Sequence, residues 1–193
     1  MKFNNPAFYF IDIKKECFVN YFQLFNLDAH FSLDLAELSS IYQTLQKTVH
    51  PDRFAHGSAQ EQLIAVQKSA LINDAYETLK KPLKRAEYLL THRATNMPSE
   101  QASFSDNSFL MHQMELHEML ADIKTANDVN AAFEQVNTTF TKEYHVLFNA
   151  MTLALDENST DSNVQASEQL RKLKFYQKLM VDLERLEEQL FDD

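Results

Sequence analysis

The sequence predicts an all-α protein, with a helical hairpin in its N-terminal part and a three-helix bundle in its C-terminal part. Residues that interrupt helices are scarce, since the 193 residues include 1 Gly and 4 Pro, whereas about 13 glycines would be usual. Apolar residues recur at spacings of three and four, which is the period of an amphipathic α-helix. Hydrophobic residues make up 45% of the chain, enough to build packed cores.

The same composition excludes several classes of site. A single glycine cannot form the glycine-rich loops that bind nucleotide phosphates. The only cysteine, Cys17, cannot form an internal disulfide or a multi-cysteine metal site. No apolar run approaches the ~20 residues that span a bilayer, and residues 1–18 lack the pattern of a signal or transit peptide. We therefore expect a cytoplasmic protein without membrane contact, cofactor or metal.

The distribution of charged and polar residues divides the chain near its middle. Residues 1–94 hold 11 Lys and Arg against 10 Asp and Glu, whereas residues 95–193 hold 7 against 18. The acidic second half disfavours nucleic acid as a partner, because phosphate binding needs clustered cations. The polar stretch around Pro98 has the composition of a loop. We accordingly predict four segments: an extension over 1–18, a first domain over 19–94, a linker over 95–106 and a second domain over 107–193.

Three helices are predicted in the first domain. Helix 34–49 has Asp34 as its N-cap with Glu37 three residues later, as in a capping box, and Pro51 ends it. A second helix spans 59–79 and a short third one includes 86–90. The apolar stripe predicted on the second helix comprises Leu63, Val66, Ala70, Asn73, Tyr76 and Leu79.

Three longer helices are predicted in the second domain, at about 107–123, 128–155 and 164–190. Their apolar residues repeat at spacings of three and four, and the polar segment 156–162 separates the last two. Three amphipathic helices joined by short polar connections are expected to pack as a bundle.

The triplet His50-Pro51-Asp52 separates the two longest helices of the first domain. It is compatible with a simple helix stop, in which Pro51 ends the helix and Asp52 satisfies backbone donors. A His–Asp pair could also serve acid–base catalysis. No nucleophile or cluster of metal ligands accompanies the pair, so a hydrolase is the weaker interpretation.

The residues around this triplet resemble the J-domain family, whose members stimulate DnaK-type ATPases. The resemblance covers residues 19–92 and includes Tyr21-Phe22-x-Leu24-Phe25-x-Leu27 and Ile72-Asn73-Asp74-Ala75-Tyr76. It implies that the turn contacts the chaperone through His50, Pro51, Asp52 and Arg53.

Helix 34–49 departs from the family pattern, because Lys47 is its only cation. A weakly basic helix gives less long-range attraction to an acidic chaperone surface. Five other cations could compensate, although ordinary solvated surface charges are their default interpretation: Lys68, Lys80, Lys81, Lys84 and Arg85. Gly57 lies in the connection after the triplet, where a flexible residue could be useful.

Helix 107–123 has apolar residues on two sides. At about 100° per residue, Phe109, Leu116, Leu120 and Ile123 cluster on one side. The opposite side carries Leu110, Met111, Met114, Glu115, Glu118 and Asp122. Methionines beside acids suit an adaptable partner surface, although this side could equally pack on the first domain or under the linker.

The combined pattern resembles the HscB family of co-chaperones for iron–sulfur cluster assembly. The carrying residues include Arg85-Ala86-Glu87-Tyr88-Leu89-Leu90, Phe109-Leu110-Met111 and Arg171-Lys172-Leu173-Lys174-Phe175. The resemblance implies two partners, the scaffold IscU and the chaperone HscA. It places scaffold binding on Leu110, Met111, Met114, Glu115, Glu118, Asp122 and Phe175. An adaptor for another client and a purely structural dimerising bundle are the alternatives, and Phe175 could be an ordinary half-buried bundle residue.

Overall fold

A computed structural model describes residues 20–97 and 107–191, the last of these, Phe191, by its backbone alone. These residues form seven α-helices and two short 3₁₀ helices. No strand occurs in the described ranges, so the all-α prediction is confirmed. The predicted extension 1–18 and most of the predicted linker lie outside the described residues.

Four helices form the N-terminal part: α1 (Tyr21–Leu24), α2 (Leu35–Val49), α3 (Ala59–Lys80) and α4 (Pro82–His92). The predicted start of α2 is confirmed, because the Asp34 side chain accepts hydrogen bonds from the backbone N–H groups of Ala36 and Glu37. A carboxylate at this place satisfies two of the backbone donors that a helix start leaves open. Helix α2 ends at Val49, two residues before Pro51.

The apolar stripe predicted on α3 is wrong for four of its six residues, because Leu63, Val66, Ala70 and Asn73 are exposed. It is right for Leu79, which is buried, and for Tyr76, which is partly buried. Leu63 and Val66 are 58% and 52% exposed, whereas Ala65 and Ile72 are buried. Helix α3 packs against α1, α2 and α4, and the side that meets them also carries Ala75 and Leu79. The prediction followed large apolar residues and passed over Ala65, whose small side chain is 2% exposed.

Three helices form the C-terminal part: α5 (Asn107–Asp122), α6 (Val129–Glu157) and α7 (Thr160–Phe191), with a 3₁₀ helix at Ile123–Thr125. Their number and order were predicted. The connection between α6 and α7 is shorter than the polar segment suggested, because Asn158 adopts a left-handed conformation with φ of 55°. Asparagine tolerates this conformation better than most residues, so the chain reverses within two residues.

The long α6–α7 hairpin takes part in two hydrophobic cores. Near the connection, Met151, Leu155 and Leu173 pack with buried residues of α1–α4. Toward the other end, Phe140 and Tyr176 pack with α5. The first core therefore crosses the boundary between the two predicted domains, and α6–α7 joins the N-terminal helices to α5.

Polar contacts reinforce the boundary. Arg93 Nη1 donates hydrogen bonds to the main-chain oxygen of Leu155 and to Asn163 Oδ1, both at 2.8 Å. Lys174 Nζ lies 2.8 Å from Glu87 Oε1. These contacts attach the end of α4 to the hairpin on both of its helices.

Candidate protein-interaction sites

The His-Pro-Asp turn lies at the end of the α2–α3 hairpin. His50 ends α2 and precedes a 3₁₀ helix over Pro51–Phe54, and its Nδ1 accepts a 3.3 Å hydrogen bond from the backbone N–H of Asp52. The Asp52 side chain is 89% exposed, and its Oδ2 lies 3.5 Å from His50 Nδ1. The turn therefore presents a carboxylate to solvent on a short, well-defined piece of backbone.

The two contacts of His50 Nδ1 belong to different protonation states. A neutral ring accepts from the Asp52 N–H through Nδ1, whereas an imidazolium has a proton there and attracts the Asp52 carboxylate instead. In the neutral state the carboxylate of Asp52 is fully available to an external cation. A charge-assisted hydrogen bond to such a cation is about twice as strong as a neutral one.

Side chains on both sides hold the turn in place. Arg53 Nη1 donates to the main-chain oxygen of Lys47 at 3.2 Å, which links the turn to the last residues of α2. On the other side, Gln62 Nε2 lies 3.2 Å from the main-chain oxygens of Ala55 and Gly57. Ser58 and Glu61 form a capping box at the start of α3, a feature the sequence analysis missed although its Ser-x-x-Glu signature is present.

Gly57 lies in a tight space and does not adopt the left-handed backbone that glycine permits. Its φ is not positive, so its backbone is accessible to any residue. A Cβ at this position would lie 3.0 Å from Glu61 Oε2 and 3.2 Å from the main-chain oxygen of Phe54. The close neighbours of Gly57, and not a need for backbone flexibility, therefore favour a small residue at this position.

Arg85 cannot serve as a compensating surface cation, because it is buried. Arg85 is 6% exposed, its Nη1 donates to the main-chain oxygen of Leu79 at 2.6 Å, and its guanidinium lies 5.0 Å from the Phe31 ring centre. Burial lowers the pKa of Arg85. Its charge satisfies a carbonyl near the C-terminus of α3, where cations are favourable, and it is not part of the surface.

The other expected cations are arranged along α3 and α4. Lys80 and Lys84 are exposed, and Lys80 Nζ lies 5.3 Å from the ring centre of Tyr76. Lys81 forms a 3.2 Å ion pair with Glu77. Lys68 is half-buried within α3.

Helix α5 presents the outward face that the angular analysis predicted. Met111 and Met114 are 66% and 65% exposed, and Leu110 is half-buried. The three acids Glu115, Glu118 and Asp122 are exposed beside them. The opposite side of α5 carries predicted core residues, of which Phe109 and Leu116 are buried and Leu120 is partly buried. The fourth, Ile123, is buried in the 3₁₀ helix that follows α5.

The alternative that this outward face packs on the N-terminal helices is wrong. Helix α5 packs at the end of α6–α7 that is remote from them, and the two exposed methionines have no such cover. The alternative that the linker covers the face concerns residues 98–106, which lie outside the described residues.

Phe175 brings α7 to the edge of the α5 face. Its ring meets Phe109 edge-on at 5.9 Å and His117 at 5.6 Å between ring centres. Phe175 is half-buried, so one part of the ring packs in the bundle while the rest is accessible beside α5. The seven residues that the resemblance singled out therefore lie on α5 and on the part of α7 that contacts it.

A polar network that the sequence analysis missed joins α5, α6 and α7. His112 Nε2 lies 2.8 Å from Glu143 Oε2, and His112 Nδ1 lies 3.1 Å from Glu115 Oε2. The hydroxyl of buried Tyr176 donates to the same Glu143 oxygen. The spacing of His112 and Glu115 fits one helix turn, but the partners on α6 and α7 are 31 and 64 residues away.

The network shifts two pKa values. Hydrogen bonding to Glu143 is the largest influence and raises the pKa of His112, with a further contribution from Glu115 and an opposing one from burial. Burial, followed by the hydrogen bond to Glu143, raises the pKa of Tyr176. Tyr176 therefore stays protonated and donates a hydrogen bond to Glu143, and the two carboxylates stabilise the imidazolium form of His112 relative to an isolated histidine.

Other kinds of site are not found in the described ranges. Within residues 20–97 and 107–191, no three His, Cys, Asp or Glu side chains are arranged to hold a metal ion. No helix among these residues is both long and apolar enough to cross a membrane. Cys17 lies outside the described residues.

Two family models match this chain. Residues 20–88 match the DnaJ domain, and residues 105–184 match the HSCB C-terminal oligomerisation domain. The two matches include the His-Pro-Asp turn and the α5 face respectively.

Whole proteins of similar sequence and fold are also known. A co-chaperone protein HscB homolog from Colwellia psychrerythraea is 59% identical over 175 residues, which is 91% of this chain and 100% of the relative. A homolog from Aeromonas salmonicida is 44% identical, with 90% and 99% covered. The chaperone HscB from Vibrio cholerae superimposes with a TM-score of 0.84 at 44% identity, covering 89% of this chain and 100% of that one. Human co-chaperone HscB gives a TM-score of 0.81 at 29% identity, with 91% and 86% covered.

Proposed function

The chain belongs to the HscB family of co-chaperones, and on this basis we propose that it serves iron–sulfur cluster assembly with two protein partners. It binds the scaffold protein IscU and delivers it to HscA, a DnaK-type chaperone. It then stimulates ATP hydrolysis by HscA and performs no chemistry itself. The curated relatives named above are bacterial, which supports a bacterial cytoplasmic setting.

The observation that carries the chaperone step is the exposed carboxylate of Asp52 on an anchored turn. The side chain is 89% exposed, while Arg53 and Gln62 fix the backbone on either side. A preorganised anion loses little conformational freedom when it meets a cation of the chaperone. His50 and Pro51 shape the turn, and Arg53 both holds it and adds a positive charge at its rim.

The α5 face supports the scaffold step. Exposed Met111 and Met114 provide adaptable apolar contact, and three acids surround them. A partner with an apolar centre and basic residues around it matches this arrangement, because apolar anchors supply affinity while the charges select orientation. Phe175 adds an aromatic ring at the edge of the same face.

The placement of the two sites on one framework supports delivery. The turn is at the end of α2–α3, and α5 packs at the end of α6–α7 that is remote from the shared core. The two surfaces do not overlap, which supports binding of both partners at once.

The decisive experiment measures ATP hydrolysis by HscA with this protein alone, with IscU alone and with both. We expect stimulation by the protein alone and a larger stimulation when IscU is also present. Stimulation that IscU leaves unchanged would favour a J-domain adaptor for another client. No stimulation under any condition would contradict the chaperone step.

Self-association is a second candidate role for the C-terminal part. The matching family model is described as an oligomerisation domain, and two exposed methionines could meet those of a second copy. Sedimentation of the full chain across a range of concentrations tests it. A monomer throughout would contradict it, whereas a dimer that IscU dissociates would place both activities on the same face.

A further inference from the structure

His112 lies between two carboxylates that belong to different surfaces. Glu143, on α6, is part-buried, and Tyr176 of α7 shares its oxygen. Glu115, one turn along α5, has a 66% exposed side chain and lies on the α5 face. His112 therefore connects the inside of the bundle to the proposed scaffold-binding face.

The contacts of the ring favour protons on both nitrogens. Each nitrogen lies within 3.1 Å of a carboxylate oxygen, and only an imidazolium donates from both nitrogens at once. Among the described residues, the charged or titratable groups that hydrogen-bond to this ring are Glu115 of α5, Glu143 of α6 and Tyr176 of α7. Two anions and a neutral phenol favour the protonated ring.

The two protons of the imidazolium are not equivalent. The Nε2 proton is held by Glu143 in a 2.8 Å contact that is part-buried and shared with Tyr176. The Nδ1 proton faces the more exposed Glu115 at 3.1 Å. When the ring loses one proton, the Nδ1–H bond breaks, its electron pair stays on Nδ1 and the proton passes to solvent. A lone pair then faces the Glu115 carboxylate, which releases Glu115 from the ring.

We propose that protonated His112 competes with the basic surface of the scaffold for Glu115, so that this protein binds its scaffold more tightly once His112 has lost a proton. This inference rests on the proposed function of the α5 face. An incoming cation must displace the imidazolium from Glu115 at lower pH, whereas at higher pH Glu115 is free and the face has one positive charge fewer. Exposed ion pairs contribute modestly, and a competition of this kind changes affinity by about two- to fivefold.

The test compares the dissociation constant of IscU for the wild-type chain and for His112→Gln, between roughly pH 6 and pH 8.5 at constant ionic strength. Titrating groups of IscU affect both chains equally, so the difference between the two profiles belongs to His112. As pH rises across this range, we expect the affinity of the wild-type chain, divided by that of His112→Gln, to increase about two- to fivefold. His145→Gln is the matched control, because His145 is an exposed histidine on α6, and its profile should follow the wild type.

A second measurement follows the His112 ring by NMR in the free protein. Glu115→Gln and Glu143→Gln should each lower the pKa of His112, because each removes a negative partner. Titration midpoints that neither substitution moves would contradict the bridging geometry without reference to any partner.

The outcomes separate this inference from the function on which it rests. Parallel binding profiles for wild type and His112→Gln would overturn the competition while leaving scaffold binding intact. A wild-type chain that weakens relative to His112→Gln as pH rises would also overturn it, because His112 would then position Glu115 for binding. Failure of every chain to bind IscU at any pH would contradict the proposed function, and with it the coupling, while the NMR titration would still report on the network.

Discussion

The Nη1 atom of Arg93 lies 2.8 Å from the main-chain oxygen of Leu155, 62 residues further along the chain. The same atom contacts Asn163 Oδ1 at the start of α7. One guanidinium at the end of α4 thus donates hydrogen bonds to both the last turn of α6 and the first turn of α7. Burial lowers the pKa of Arg93, and the nearby charge of Asp156 partly opposes this shift.

Arg93→Ala should lower the free energy of unfolding by about 1.5–3 kcal/mol, because hydrogen bonds from a charged donor are lost and their acceptors stay partly buried. Urea denaturation measures the change. Arg185→Ala is the matched control, since Arg185 is 69% exposed and contacts only Asp182 among the ion pairs of the described residues. A surface substitution of this kind should stay within about 0.5 kcal/mol, and equal losses for the two variants would contradict the role of Arg93.

Asp52→Asn should abolish most of the stimulation of HscA, by about tenfold or more, since a charge-assisted contact becomes a neutral one. Its folding stability should change little because the side chain is exposed. Steady-state ATP hydrolysis provides the measurement. Glu168→Gln removes an exposed carboxylate on α7 and should stimulate normally. Full stimulation by Asp52→Asn would remove the turn from the proposed mechanism.

Replacing Met111 and Met114 together by Ala should weaken IscU binding by about tenfold, the loss expected when apolar anchors are truncated. Their exposure keeps the effect on folding small, so the change can be measured directly by calorimetric titration. Leu153→Ala provides the control, because Leu153 is 72% exposed on α6 and lies outside the α5 face. Phe175→Ala is less suitable, since it also removes packing against Phe109. Unchanged affinity would exclude the α5 methionines from the interface.

Arg85→Ala should destabilise the fold by about 2–4 kcal/mol, because it leaves a cavity beside Phe31 and removes the hydrogen bond to Leu79. The adjacent Lys84→Ala changes an exposed cation and should have almost no effect on thermal unfolding. If Arg85→Ala folded as stably as the wild type and instead weakened chaperone binding, the side chain would be a surface cation after all.

The free energy of unfolding should depend on pH in part through the titration of His112. A raised pKa in the folded state means that the stabilising contribution is complete below the unfolded pKa, whose ordinary value is 6.5. It is lost as pH rises through the folded pKa. The free energy of unfolding of the wild type, relative to His112→Gln, should therefore fall from mildly acidic toward alkaline pH. A constant difference in urea denaturation would show that His112 has no linked titration.

Local signals in the sequence predicted most helices. Asp34 and Pro51 delimit α2 through capping and backbone restriction, which depend on neighbouring residues only. The angular separation of Met111 from Leu116 on α5 was equally predictable, because helical geometry fixes it. The boundary of α7 differed by four residues since Asn158 allows a tighter reversal than its polar surroundings suggested.

Features that depend on distant residues could not be predicted in this way. Leu63 and Ala65 differ in burial because of which helices surround α3, and no local pattern contains that information. Arg85 has the side chain of a surface residue and became buried because Phe31 and the end of α3 enclose it. The link from His112 to Glu143 needs the packing of α5 on α6.

The α6–α7 hairpin also sets the distance between the two hydrophobic cores. Helix α6 has 29 residues, so at 1.5 Å per residue it extends roughly 40 Å. Its two ends pack in separate cores, and the two helices together connect these cores. If a client binds α5 as proposed, the length of these helices sets its distance from the N-terminal helices. Lengthening or shortening both helices by whole turns would then move the client relative to the chaperone in steps of about 5.4 Å.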